Sequence, residues 1–339
     1  MTRSKSARLA LNHIIYLCLS LLLLVACNQD QAEALPVPPL ILEPPPTGAA
    51  DTLAALSATE LPERDLVELA ARLKGVTGIE RVVPRPEPER VGDSAPFWFS
   101  NHDTGEVEQV NARLAYQSDL LNLWVEEGER VNDNHLFAAA EMLENKILPR
   151  NRAFFGSEWQ PGVDDDPRLN ILHLENIGEG VVGFFSAADE FPQAIAPYSN
   201  ERELLYTSLR YAPVGSDAYY DLIAHEMQHM IHWYTDSNET TWLNEGLAVL
   251  AAHLNGFPSQ DYISAYAAGP DVQLNNFSYS SPQTEAHYGA AFFFSAYFME
   301  RFGEAATQIL ARHPENGPAG FEAALAEIGA DLTFDDLFA

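Results

Sequence analysis

The residues of this chain with the clearest chemical potential are His225-Glu226-Met227-Gln228-His229. On a helix, residues four apart lie on one face about one turn apart, so both imidazoles can bind one zinc ion from a single rigid element. Glu226 then flanks the remaining coordination position. There a carboxylate can take a proton from a metal-activated water and pass it to a leaving amine. The pentapeptide alone could be coincidence, and its surroundings must decide.

Those surroundings predict a helix. Ser216 or Asp217 supplies an N-cap, and residues 218–234 contain neither Gly nor Pro. Ile223, Met227, Met230 and Tyr234 form an apolar stripe that would seat the helix on a core. A second stripe, Leu222, His225, His229 and His232, carries the histidines.

Zinc needs a third protein ligand. His232 is seven residues from His225, which at about 1.5 Å per residue separates them by roughly 10 Å, too far for one ion. Asp236 and Glu239 lie in the polar turn 235–240 and could fold back, but a flexible turn positions a ligand poorly. Glu245 is better placed. Thr240 or Thr241 can cap a second helix running to about Leu254, with Glu245 in its first turns. Two helices joined by so short a connection pack antiparallel, and Gly246 would let their backbones approach.

The series His225-Glu226-x-x-His229, then Trp242-Leu243-Asn244-Glu245-Gly246, resembles the gluzincin metallopeptidases, and most their hyicolysin branch. Phe184-Phe185-Ser186-Ala187-Ala188-Asp189-Glu190-Phe191-Pro192 and Asn200-Glu201-Arg202-Glu203 resemble the segments that precede the active-site helix there. The resemblance covers about residues 134–339. It implies one catalytic zinc held by His225, His229 and Glu245, Glu226 as general base, and hydrolysis of peptide bonds. Gluzincins often carry an acid four residues after the glutamate ligand, where it fixes a ligand histidine. Here that position is Val249, so either another carboxylate, such as Asp221 or Glu239, takes the role or the site is weaker than its relatives.

An oxyanion donor is also needed. The segment His287-Tyr288-Gly289-Ala290-Ala291 resembles the tyrosine-glycine region downstream of the ligands in related peptidases, making Tyr288, and after it His287, the candidates. Phe292, Phe293, Phe294, Tyr297 and Phe298 also make this a plainly hydrophobic helix. His102, His135, His173, His253 and His313 show no ligand spacing.

Arg3, Lys5 and Arg8 precede an apolar run over residues 14–26, the pattern of an export signal and too short for a comfortable membrane span. Leu24-Val25-Ala26-Cys27 resembles a bacterial lipobox. It implies cleavage after residue 26, a lipid on Cys27 as the membrane partner, and an extracytoplasmic surface location. Cys18 would leave with residues 1–26, so no internal disulfide is expected. Residues 27–60 read as a Pro-rich tether.

Beyond the tether, a helix is expected at 61–73 and strands at 97–100, 107–116 and 120–125, together a small β-rich domain over 61–131. Residues 132–339 form the expected zincin-like catalytic domain, giving an α+β chain: a mixed sheet, the active-site helix, then a helical subdomain. Its parts are a helix at 134–148 stopped by Pro149, a strand at 169–174, and a sheet edge at 181–187 suited to pairing with an extended peptide. Asp164, Asp165 and Asp166 could bind calcium, but adjacent carboxylates lack the alternate spacing of a calcium loop, and a solvated turn is expected. The formal net charge of −30 argues against nucleic acid as a partner. The expected partner is a protein or peptide substrate, cationic if acidity lines the cleft. A zincin-fold protein that binds without hydrolysis, or a zinc hydrolase of non-peptide bonds, are the rival functions.

Overall fold

The computed structural model describes residues 48–58, 65–76, 78–257 and 259–338. The expected export signal and Cys27 lie outside these residues. The chain divides into two compact units, Met1–Pro62 and Glu63–Ala339. In the first, the described part of the expected tether is a helix, α1 (Ala49–Ser57), rather than extended chain. The prolines end at Pro46, and the segment that follows is rich in the strong helix formers Ala and Leu.

The second unit opens with α2 (Leu66–Lys74), whose N-cap Asp65 accepts from the amides of Val67 and Glu68. Six strands follow, β1 (Ser94–Ser100), β2 (Val107–Gln117), β3 (Leu121–Glu126), β4 (Leu169–Leu174), β5 (Gly183–Phe185) and β6 (Leu204–Ser208). They form one sheet in the order β1-β2-β3-β4-β6-β5. The β3-β4 and β4-β6 pairs are parallel and the others antiparallel. The strands expected in a separate domain over 61–131 are therefore half of a sheet whose other half lies beyond residue 132. Alternation explains why they cannot stand apart. Leu121 and Leu123 of β3 join Leu169, Ile171 and Leu205 in the core beneath the helices. Trp124, on the opposite face, joins Phe97, Leu172 and Tyr206.

Between β3 and β4 the chain is helical from Asp133 to Phe155. α3 (Asp133–Met142), capped by Asn132, passes through a π-helical turn (Leu143–Ile147) into α4 (Leu148–Phe155). Pro149 thus does not stop the helix. It sits in the first turn of α4, directly after a turn already loosened to longer hydrogen bonds, where a missing amide hydrogen costs little. Five helices complete the unit: α5 (Asp217–Thr235), α6 (Thr241–Leu254), α7 (Gln260–Ala268), α8 (Thr284–Leu310, kinked at Gly303) and α9 (Pro318–Glu327). This is a zincin-like α+β fold. Among the described residues no helix is long and apolar enough to cross a membrane.

Candidate active site

α5 starts at Ser216, whose side chain accepts from the Tyr219 amide. Ile223, Met227 and Met230 are buried as expected, but Tyr234 is 51 % exposed and Ile231 takes its place in the core. The helix is tied to the sheet by polar contacts as well. His173 of β4 hydrogen-bonds through Nδ1 to the Trp124 carbonyl (2.7 Å) and through Nε2 to the Tyr219 hydroxyl (3.0 Å). Asn151 of α4 donates to the Ala224 carbonyl, and Asn255, which ends α6, donates to Asn151.

The connection 236–240 turns the chain back. Thr240 occupies the cap position of α6, but its hydroxyl bonds to Glu239 rather than to the helix amides. Gly246 permits a close approach on a different side from the one expected. A Cβ there would lie 2.7 Å from the Ala291 carbonyl oxygen and 2.7 Å from Ser295 Oγ, so it is α8, not α5, that the glycine admits.

This packing brings three donors together. His225 Nε2 and His229 Nε2 are 3.0 Å apart, and Glu245 Oε2 is 3.2 Å from the first and 3.4 Å from the second. Ligands about 2.0–2.1 Å from a tetrahedral zinc lie about 3.3 Å from one another, so the triangle fits that ion. Glu245 Oε2 is buried without a hydrogen-bond partner, whereas Oε1 accepts from the Tyr279 hydroxyl at 2.5 Å. The electrostatics point the same way. Burial alone would raise the Glu245 carboxyl, but the two histidines outweigh it and hold the group well below the usual carboxylate range. Burial alone would lower His229, but Glu245 lifts it to about 9.

Asn244 accepts from the His229 ring. Its Oδ1 is 3.0 Å from His229 Nδ1, an arrangement in which Nδ1–H donates and the Nε2 lone pair faces the cluster. The same oxygen is 3.1 Å from Nδ1 of His232, a buried neighbour outside the triangle. Neither residue expected in this role hydrogen-bonds to either histidine. Asp221 accepts from Ser259 (2.9 Å), and Glu239 accepts from Thr240 and Gly317. Val249 is buried in the core. Nothing in the residue type marked Asn244. Its place beside Glu245 was the only available signal.

The cluster opens into a cleft of about 1490 Å³ between β5 and helices α5, α7 and α8. β5 is one of the two edge strands of the sheet, and its Phe185 amide donates to Glu226 Oε2 at 3.0 Å. Tyr288 lines the cleft and stacks on Tyr262, with ring centroids 4.5 Å apart. Burial, then Glu245, pushes its phenol far upward, so it remains a neutral donor. His287 points elsewhere, against Phe277, and is not part of the cleft wall. Tyr279, from the irregular segment after α7, had no sequence signal. Asp217, Asp221, Asp236, Glu239, Asp261 and Glu285 also line the cleft, and among the described residues no Lys or Arg lies in its wall.

A mixed sheet with an antiparallel edge strand, beside a helix bearing two of three clustered donors, places the chain among zincin-like folds. No protein-family model matches it. Over 185 residues it is 28% identical to the neutral metalloprotease ShpI of Staphylococcus hyicus, a stretch covering 49% of this chain and 41% of that protein. The chain thus spans less than half the length of that relative.

Proposed function

We propose that this protein is a zinc-dependent endopeptidase of the gluzincin type, hyicolysin-like, with His225, His229 and Glu245 as ligands. The observation that carries the reading is the triangle of donor atoms with edges of 3.0, 3.2 and 3.4 Å. Similarity to a neutral metalloprotease supports it. When bound, zinc supplies Lewis acidity that acidifies a water and polarises the scissile carbonyl. Glu226 is the general base. Its Oε2 is held by the Phe185 amide, leaving Oε1 to take the proton and deliver it to the leaving amine. The outer edge of β5 pairs with the substrate backbone, and the Tyr288 hydroxyl donates to the developing oxyanion.

The acidic cleft wall favours substrates rich in Lys and Arg near the scissile bond. Substrates are extracytoplasmic, reached from the membrane surface through a lipid on Cys27. The decisive experiment measures bound zinc and casein cleavage for the chain without residues 1–26 and for its Glu226→Gln variant. One zinc in each, with cleavage by the parent only, is expected. Absence of zinc would remove the metal assignment. Zinc without cleavage of any peptide would leave a zincin-fold binding protein.

A further inference from the structure

One amide oxygen serves two histidines. Asn244 Oδ1 lies 3.0 Å from His229 Nδ1 and 3.1 Å from His232 Nδ1. An acceptor at Nδ1 places the ring proton there and leaves the Nε2 lone pair available to a metal. His232 is buried, and the Gln228 amide, 3.2 Å from the same Nδ1, can turn its otherwise unpartnered Oε1 to that proton as well. Burial, and then His229, lowers the His232 ring to about 4, so it is neutral at pH 7, the form that binds metal.

A second group of donors meets at this ring. A nitrogen of His232 and one carboxylate oxygen each from Asp236 and Glu239 lie within 4.8 Å of one another. His232 and Asp236 are four residues apart, so the end of α5 presents both on one side, and Glu239 returns from the connection that follows. Glu239 Oε1 accepts from Thr240 Oγ1 (2.7 Å) and from the Gly317 amide (2.9 Å), whereas its Oε2 is buried with no hydrogen-bond partner. Asp236 Oδ1 accepts from the Asn238 amide at 3.5 Å. Burial raises the Glu239 carboxyl despite its bonds, and Asp236 adds to the rise. Among the described residues no Lys or Arg lies in the cleft wall that these two carboxyls share.

We propose that His232, Asp236 and Glu239 hold a second zinc ion, separate from the His225–His229–Glu245 cluster and independent of the peptidase reading. One imidazole with two carboxylates suits zinc, whereas calcium takes about six to eight oxygen donors. The ion balances the two carboxylate charges and gives the buried Glu239 Oε2 a partner. Asp236 and Glu239 line the cleft, so zinc enters from solvent and water completes its coordination. It fastens residues 236–240, the turn that returns the chain to Asn244 and Glu245. With one imidazole instead of two, and two donors at or beyond the end of the helix, this site is the weaker one. It empties on dialysis, which leaves the single zinc expected of the purified protein.

The test titrates the metal-depleted full chain with zinc chloride in excess calcium chloride, which occupies oxygen-only sites, and reads bound zinc by equilibrium dialysis. Two zinc ions per chain are expected, in a tighter and a weaker step. His232→Gln and Glu239→Gln should each remove the weaker step and keep the tighter one. Glu245→Ala should remove the tighter step and keep the weaker, which separates failure of this site from failure of the proposed active site. A parent protein that shows no step beyond the one Glu245→Ala removes overturns the proposal, even if the two glutamine variants do not fold. A weaker step that persists in both glutamine variants overturns it as well, since that zinc would sit on other carboxylates of the cleft.

Discussion

Asn244 Oδ1 lies 3.0 Å from His229 Nδ1, so the residue next to one proposed ligand orients another. In Asn244→Ala the ring loses the acceptor that fixes its tautomer, and zinc affinity should fall about 10–100-fold with the fold intact. Chelator competition measures the affinity and circular dichroism the fold. Wild-type affinity in the variant would show that packing alone orients His229.

Glu226 is fixed by the edge strand through the Phe185 amide. Glu226→Gln keeps an acceptor for that amide but cannot take a proton. Cleavage should fall about 10²–10⁴-fold with zinc content unchanged. A parallel loss of zinc would instead mean that the carboxylate holds the cluster together.

Two tyrosines reach the site differently, and phenylalanine variants should separate them. Tyr279 donates to Glu245 Oε1, so Tyr279→Phe should weaken zinc binding, whereas Tyr288→Phe should lower kcat by about 10²-fold and leave zinc unchanged. Equal, small effects from both would remove Tyr288 as the oxyanion donor.

Burial lowers His173 to about 4, so the folded protein keeps it neutral where an unfolded chain would protonate it. Its contribution is complete above about pH 6.5 and is lost as pH falls towards 4, amounting to about 3 kcal/mol in all. Urea unfolding at pH 7 and pH 4.5 should show a smaller acid loss in His173→Gln than in the parent. Equal losses would place the acid sensitivity elsewhere.

Much of the site was legible because the information is local. The spacing of His225, Glu226 and His229 on a capped, uninterrupted segment defines one helical face, and the short turn after it limits the residues that can return to that face. Glu245 followed from reach. Asn244 and Tyr279 did not, since an asparagine beside a glutamate and a tyrosine in irregular chain carry no periodic signal. Long-range pairing was equally hidden. Nothing in residues 94–126 indicates that their third strand pairs in parallel with one more than forty residues later. Asp164 was read as part of a solvated turn, but it is buried beside Arg85, a partner nearly eighty residues away.

The sequence by itself determined the donor chemistry, the helix that carries it and the acidic character of the chain, because each depends on residue type and near-neighbour spacing. Tertiary structure alone decided which side chains meet. It closed the donor triangle, put Asn244 against His229, concentrated carboxylates along the cleft, and buried Glu190 and Glu203. Such contacts depend on how strands and helices pack across long separations, where a one-residue change of register moves every side chain to the other face.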